Sequence, residues 1–237
     1  MWITRKKGGI TAKQLGRILN CRASRKFLPR RRNFIINYGN DYKQADLNAN
    51  VIFNKRKAYD ILKEAGISQP KLWDKNDDIP DSAFPLLARK EYHSQGRDVI
   101  YIHNKGQLEN DVDYFAYDFL VEYINKTSEY RVHVLGDKAI VNVKFDGEGS
   151  GDPIVRSHNN GWRQISYDRE WHDALAELAI KTIRALEYDF GAVDIIRKRD
   201  KLYVLEVNSA PGLEDRKLQE YAEYFREEEQ KWLQNLR

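Results

Sequence analysis

The chain has 237 residues, 41% hydrophobic and 32% charged, with 12% aromatics and a net charge of +4. That content is too apolar and aromatic for a disordered polypeptide, and it is enough for one large domain or two small ones. No apolar run reaches membrane-span length, and the start of the chain carries Arg5, Lys6 and Lys7 rather than a signal-type apolar core. The single cysteine, Cys21, excludes an internal disulfide and a cysteine-based zinc cluster, so the expectation is a cytoplasmic protein with no membrane partner.

The charge is unevenly placed. Residues 1–40 hold eleven Lys and Arg and no acid, and the rest of the chain, with 29 basic and 36 acidic residues, is at −7. A basic segment of this kind points to an anionic partner, or simply offsets an acidic body. Within it, Ile10, Leu15, Ile18 and Leu19 recur at helical intervals, and Phe34–Asn37 reads as a short strand ending in the Tyr38-Gly39-Asn40 turn. Asn54 then caps a helix whose apolar side is Ala58, Ile61, Leu62 and Ala65, stopped by Gly66 and Pro70.

Strands are expected at Ala83–Arg89, Asp98–His103 and Phe115–Ile124, and Gly136-Asp137 reads as the turn of a hairpin joining Glu129–Leu135 to Lys138–Phe145. From Asp168 a helix runs with the stripe Trp171, Ala174, Leu175, Leu178, Ala179, Thr182, Ile183, Leu186. Strands Gly191–Arg197 and Lys201–Val207 follow, then a charged helix carrying Leu218, Ala222, Phe225, Trp232 and Leu236. Strands mixed with helices, without strict βαβ alternation, make an α+β protein.

Within the last strand pair, Glu206 and Asn208 share a face because side chains alternate. With Arg199-Asp200-Lys201 as a three-residue loop, Lys198 pairs with Leu202 and Asp194 falls opposite Glu206. Two carboxylates that close repel unless a positive group lies between them, and an all-oxygen donor set suits a hard cation such as Mg²⁺. The ordinary alternative is a pair of acids facing solvent on an amphipathic hairpin.

Asp194, Glu206-Val-Asn208 and Ala210-Pro-Gly-Leu213 resemble the metal-binding end of the ATP-grasp superfamily, its RimK-like branch in particular. Other stretches resemble the family in order. Asn54-Lys55 with Leu62, Gly66 and Pro70 resembles its opening helix. Phe84–Arg89 with His93-Ser-Gln-Gly96 resembles its strand and phosphate-covering loop. Val121-Glu-Tyr-Ile124 with Glu129-Tyr-Arg131 resembles the adenine hinge and the ribose carboxylate. Lys144, then Arg156-Ser-His-Asn159, resemble its phosphate-proximal residues. Small phage- and bacterium-encoded members share this pattern. Two positions depart from it: Arg89 stands where relatives carry Lys, and His158 stands where they carry Asn.

The resemblance implies an ATP-grasp fold: two α+β subdomains gripping ATP over residues 51–215, a short basic segment over 1–50 and a C-terminal helix over 216–237. It implies an ATP-dependent ligase that joins a carboxylate to an amine through an acylphosphate, with ATP and two Mg²⁺ ions, or Mn²⁺ in their place. Nucleotide contacts would come from Lys55, Arg89, Ser94, Gly96, Glu122, Tyr123, Ile124, Glu129, Ser157 and His158. Metal ligands would be Asp194, Glu206 and Asn208, and the transferring phosphoryl group would be stabilised by Arg131, Lys144 and Arg156. Arg131 and His133 share one strand face, expected to be polar and to face the cleft; His93, His133 and His158 are expected to contact phosphate or to support loops. A phosphotransferase acting on a hydroxyl, and a nucleic-acid module using the basic segment, stand as alternatives.

Overall fold

The computed structural model describes residues 1–26, 33–92, 99–147, 149, 151–156 and 160–236. Three sheets and five helices make up this part of the chain, an α+β arrangement as expected. At the amino end, β1 (Trp2–Arg5), α1 (Ile10–Ile18) and β2 (Arg22–Ser24) form a parallel β-α-β unit, and β3 (Ile35–Tyr38) pairs in parallel on the other side of β1, giving the order β2-β1-β3. Strands β1 and β2 have no strand signature in the sequence because each is only three or four residues long, too short for a period to register.

Next comes α2 (Lys55–Glu64), capped as expected: the Asn54 side chain accepts from the Lys57 amide at 2.9 Å. Gly66 ends the helix at φ +66°, a left-handed conformation that a residue with a Cβ adopts only under strain. The second sheet is antiparallel in the order β4-β7-β5-β6, from β4 (Leu72–Asp74), β5 (Leu86–Arg89), β6 (Ile100–Ile102) and β7 (Phe119–Glu122), with α3 (Lys105–Asn110) between the last two in the chain. These strands are shorter than the sequence suggests. Residues Asp81–Ala83 and Tyr114–Ala116 wind into single 3₁₀ turns, and Pro85 has no N–H for a ladder. Asp113 fixes the second turn by accepting from the Phe115 amide.

The third sheet is antiparallel, in the order β10-β9-β8-β11-β12. Its strands are β8 (Ser128–Leu135), β9 (Lys138–Asp146), β10 (Trp162–Ser166), β11 (Phe190–Lys198) and β12 (Lys201–Asn208). The β8–β9 hairpin turns at Gly136-Asp137 as expected, with Leu135 paired to Lys138. One face of this sheet is apolar, with Val132, Val134, Val193, Ile195 and Val204 packed against Leu175, Ala179 and Ile183 of α4 (His172–Ala185). The opposite face of β8 and β11 carries the polar side chains.

The final helix, α5 (Asp215–Gln234), buries Leu218, Tyr221, Ala222 and Phe225 in one core with Ile3, Leu15, Phe34, Leu135 and Phe190, so it joins the amino-terminal sheet to the third sheet. Trp232 packs on Phe34 with ring centroids 5.9 Å apart, whereas Leu236, expected on the helix, lies beyond its end and is exposed. Removing the fully buried Phe225 ring would cost about 3–5 kcal/mol. No helix among the described residues is long and apolar enough to cross a membrane.

Candidate active site

The polar face of the third sheet places functional residues in cross-strand rows. Asp194 on β11 lies between Arg131 on β8 and Glu206 on β12. The juxtaposition expected from the sequence is present, but it arises differently. The hairpin loop has two residues, Arg199 and Asp200, so Lys198 pairs with Lys201, and a β-bulge at Leu205 restores the offset. The bulge also switches faces: Val204 belongs to the apolar core with Ile195, while Glu206 joins Asp194 on the polar side.

Each carboxylate is held by cations from several elements. Arg131 grips Asp194 through two bonds, Nε–Oδ1 at 2.7 Å and Nη2–Oδ2 at 2.6 Å. Lys55, the first residue of α2, donates to Glu206 at 2.5 Å, and Arg89 on β5 reaches the same oxygen at 3.3 Å. Lys144 on β9 bonds Glu129 at 2.5 Å and the Arg156 carbonyl at 3.0 Å, and its Nζ lies 3.9 Å from Asp194. Lys126 approaches Glu129 from the other side at 3.0 Å and donates to the Ile154 carbonyl.

These partners set the protonation states. Burial alone would raise both carboxyl pKa values. For Asp194, Arg131 and Lys144 outweigh it; for Glu206, Lys55 and Arg89 do, so both acids are held below the ordinary range and stay ionised. Burial works against the charge on Lys144, but Asp194 and Glu129 overcome it and its pKa ends above the ordinary value. Lys126 shows the reverse balance: burial outweighs Glu129 and lowers its pKa.

Asn208 lies two residues beyond Glu206 and donates weakly to it at 3.4 Å. Arg156 stacks over Trp162, with its guanidinium carbon 4.3 Å from the ring centroid. At the linker after β7, the Tyr123 amide donates to the Pro85 carbonyl at 3.1 Å, the Glu122 carboxylate accepts from the Lys71 amide at 3.2 Å, and Ile124 is buried. Glu129 is 4% exposed and sits between its two lysines. Ser94, Gly96, Ser157 and His158, together with His93, lie outside the described residues.

Two features depart from the sequence reading. His133 is core rather than a phosphate contact: it is 1% exposed, its Nδ1 is 3.1 Å from the Tyr221 hydroxyl, and burial first, then Arg131 and Lys217, bring its pKa down to about 3. It faces the same side as Arg131, but α5 covers that part of the sheet, which the alternation of β8 could not reveal. Lys126 was not singled out by sequence reasoning, since it lies in an aperiodic linker where no pattern marks it.

The residues present fit a metal–nucleotide group. Asp194, Glu206 and Asn208 offer only hard oxygen donors, and no three His, Cys, Asp or Glu side chains converge as a metal cage among the described residues. Mg²⁺ needs no such cage, because it takes one or two carboxylates and completes its shell with water and phosphate oxygens. Around Glu129, Asp194 and Glu206 stand Lys55, Arg89, Lys126, Arg131 and Lys144. That positive excess suits a polyphosphate.

Comparison with known proteins agrees with this chemistry. The family model of the RimK-like ATP-grasp domain matches residues 53–222. A probable alpha-L-glutamate ligase 1 of Shewanella baltica is 30% identical over 178 residues, covering 68% of this chain and 56% of that protein. A probable alpha-L-glutamate ligase 2 of Shewanella putrefaciens matches to the same extent, so the chain spans little more than half the length of these curated relatives. Among solved structures, D-alanine–D-alanine ligase from Bacillus anthracis superposes with a TM-score of 0.72 at 14% identity, covering 100% of this chain and 98% of that one. The ATP-grasp ligase PsnB, complexed with minimal precursor, Mg and ADP, superposes with a TM-score of 0.70 at 11% identity, covering 96% of each chain. The fold is therefore that of the ATP-grasp proteins, and the chain belongs to the RimK-like ATP-grasp family.

Proposed function

We propose that the chain is an ATP-dependent carboxylate–amine ligase that forms an amide or peptide-like bond and releases ADP and phosphate. The observation that carries this reading is the paired Asp194 and Glu206, with Asn208 alongside, set among lysines and arginines from α2, β5, β8 and β9. Bound Mg·ATP supplies the phosphoryl group that turns the substrate carboxylate into an acylphosphate open to attack by the amine. Asp194, Glu206 and Asn208 would hold the metal, as two Mg²⁺ ions or as Mn²⁺.

Lys55 and Arg89, which hold Glu206, would contact the phosphate oxygens of a bound polyphosphate, and Glu206 would then be free to hold the metal. Lys144, kept charged by Asp194 and Glu129, stabilises negative charge developing at the transferring group together with Arg131 and Arg156. Among similar proteins, glutamate ligases and a precursor-bound ligase support an amino acid or a peptide as substrate, in a cytoplasm where ATP and Mg²⁺ are at hand.

The test supplies Mg·ATP with pooled amino acids and a lysate from the source, and measures ADP, AMP and phosphate against Glu206→Gln. Amine-dependent ADP and phosphate in equal amounts, absent from the variant, are the expected result. ADP with a phosphorylated product and no free phosphate would replace the ligase with a phosphotransferase.

A further inference from the structure

Lys126 has no part in the chemistry set out above, yet its side chain is only 6% exposed. It stands in the linker between β7 and β8, and an ammonium is costly to bury unless its donors are used. Its Nζ lies 3.0 Å from Glu129 Oε2 and donates to the Ile154 carbonyl at 2.8 Å. Charge balance does not call for it, because Lys144 pairs with the other oxygen of Glu129 at 2.5 Å. The bond to the Ile154 carbonyl is what Lys126 adds.

That carbonyl lies in the loop between β9 and β10, where the stretch 154–156 belongs to no strand. Its three consecutive carbonyls are each taken by a side chain instead of a ladder. Lys126 donates to Ile154 at 2.8 Å, Asn160 to Val155 at 2.8 Å and Lys144 to Arg156 at 3.0 Å. Asn160 is part of the same loop, whereas the two lysines tie the loop to Glu129 on β8.

Arg156 depends on these ties more than the other cations of the site do. Lys55 and Arg89 hold Glu206 and Arg131 holds Asp194, but Arg156 has no carboxylate partner among the described residues. Its Nε is buried and makes no hydrogen bond there. Its guanidinium lies over Trp162, and that indole donates back to the Asp152 carbonyl of the same loop at 2.9 Å. The place of the loop therefore decides the place of the charge.

Resting on the ligase reading, in which Arg156 faces the transferring phosphoryl group, we propose that Lys126 is a positioning residue. By holding the Ile154 carbonyl against Glu129, it sets Arg156 where the third phosphate of the nucleotide lies. Lys126 acts through Arg156 and contributes to that contact only while Arg156 is present.

Binding of Mg·ADP and of the non-hydrolysable Mg·AMP-PNP to the full chain is measured by calorimetry. The ratio of the two dissociation constants reports contacts to the third phosphate. A fraction of inactive chain weakens both nucleotides alike, so a merely structural loss leaves the ratio unmoved. Lys126→Met is expected to lower the preference for AMP-PNP by about tenfold, the size of one charge-assisted hydrogen bond. Arg156→Met is expected to lower it as much, and the double variant no further than either alone, because residues acting as a unit are not additive. Lys126→Gln, whose shorter amide falls short of the Ile154 carbonyl, takes the place of Lys126→Met if that variant fails to fold by near-ultraviolet dichroism, and the same loss is expected.

An unchanged preference in either single variant would overturn the proposal. An added loss in the double variant would overturn it too, since Lys126 would then meet the nucleotide on its own account. A native chain that binds both nucleotides leaves the ligase reading standing whichever way the variants fall. A native chain that binds neither would defeat that reading, and the role of Lys126 with it.

Discussion

Arg131 and Asp194 form a buried, two-bonded pair, and the penalty for breaking it falls on whichever charge is left. Arg131→Met leaves Asp194 facing only Lys144 at 3.9 Å, so urea unfolding is expected to show a loss of about 3–5 kcal/mol. Under the proposed ligase reading, Lys144→Met removes a charge from the candidate site, and kcat is expected to fall by about 10²–10³ with a smaller change in KM, read from steady-state ADP release. His133 gives the protein a distinct acid sensitivity. Its folded pKa is depressed to about 3, so below the unfolded value near 6.5 the unfolded chain binds a proton that the folded chain refuses. Its contribution is complete above that value and is lost as pH falls toward 3, at up to about 1.4 kcal/mol per pH unit. Urea midpoints between pH 7 and about 5 are expected to drop in the native chain and to flatten in His133→Gln, because the lowered carboxylates Asp194 and Glu206 lose their contributions only at lower pH. A slope retained in the variant would assign the sensitivity elsewhere.

Among the elements, those with a strong local period were readable. Helix α4 has a full apolar stripe, α2 has its cap at Asn54 and its stop at Gly66, and the β8–β9 turn sits on Gly136-Asp137. Strands β1, β2, β4 and β10, and helix α3, were not readable. Each is six residues or shorter, and their stability comes from partners distant in sequence, which no local window contains. In the candidate site, Asp194, Glu206, Arg131 and Lys144 could be placed from alternation and resemblance, but the cover that α5 gives His133 could not, since Tyr221 is 88 residues away. Long-range packing is equally decisive at β3, where Gly39 adopts φ +69° against Ala210. Gly39→Ala therefore meets both backbone strain and a clash, and thermal unfolding is expected to show a loss of about 1–3 kcal/mol.

Across the whole molecule, α2, β5 and β12 converge on one carboxylate: Lys55 and Arg89 both hold Glu206. While those ion pairs stand, a cation must compete with two side-chain charges for the same oxygen. Divalent metal is thus expected to bind the full chain weakly alone and strongly with ADP, as measured by the free Mn²⁺ resonance signal. Lys55→Met is expected to strengthen binding of Mn²⁺ alone while weakening that of ADP. Strong Mn²⁺ binding to the native chain without nucleotide would show that the ion pairs do not restrain the site.

The bulge at Leu205 separates the length of the β11–β12 tip from the facing of the residues behind it. Beyond the bulge, Asp194 is also fixed by the pairing of β11 with β8, Glu206 is held opposite it by the β11–β12 ladder, and the Val204 amide is anchored outward on the Ser68 carbonyl at 2.9 Å. Residues added at Arg199-Asp200 would lengthen an exposed tip and leave the carboxylates where they are. Deleting Leu205 alone would turn Glu206 toward the α4 core or Val204 out of it. Within this hairpin, sequence drift is free at the end and forbidden at one interior position that itself carries no chemistry.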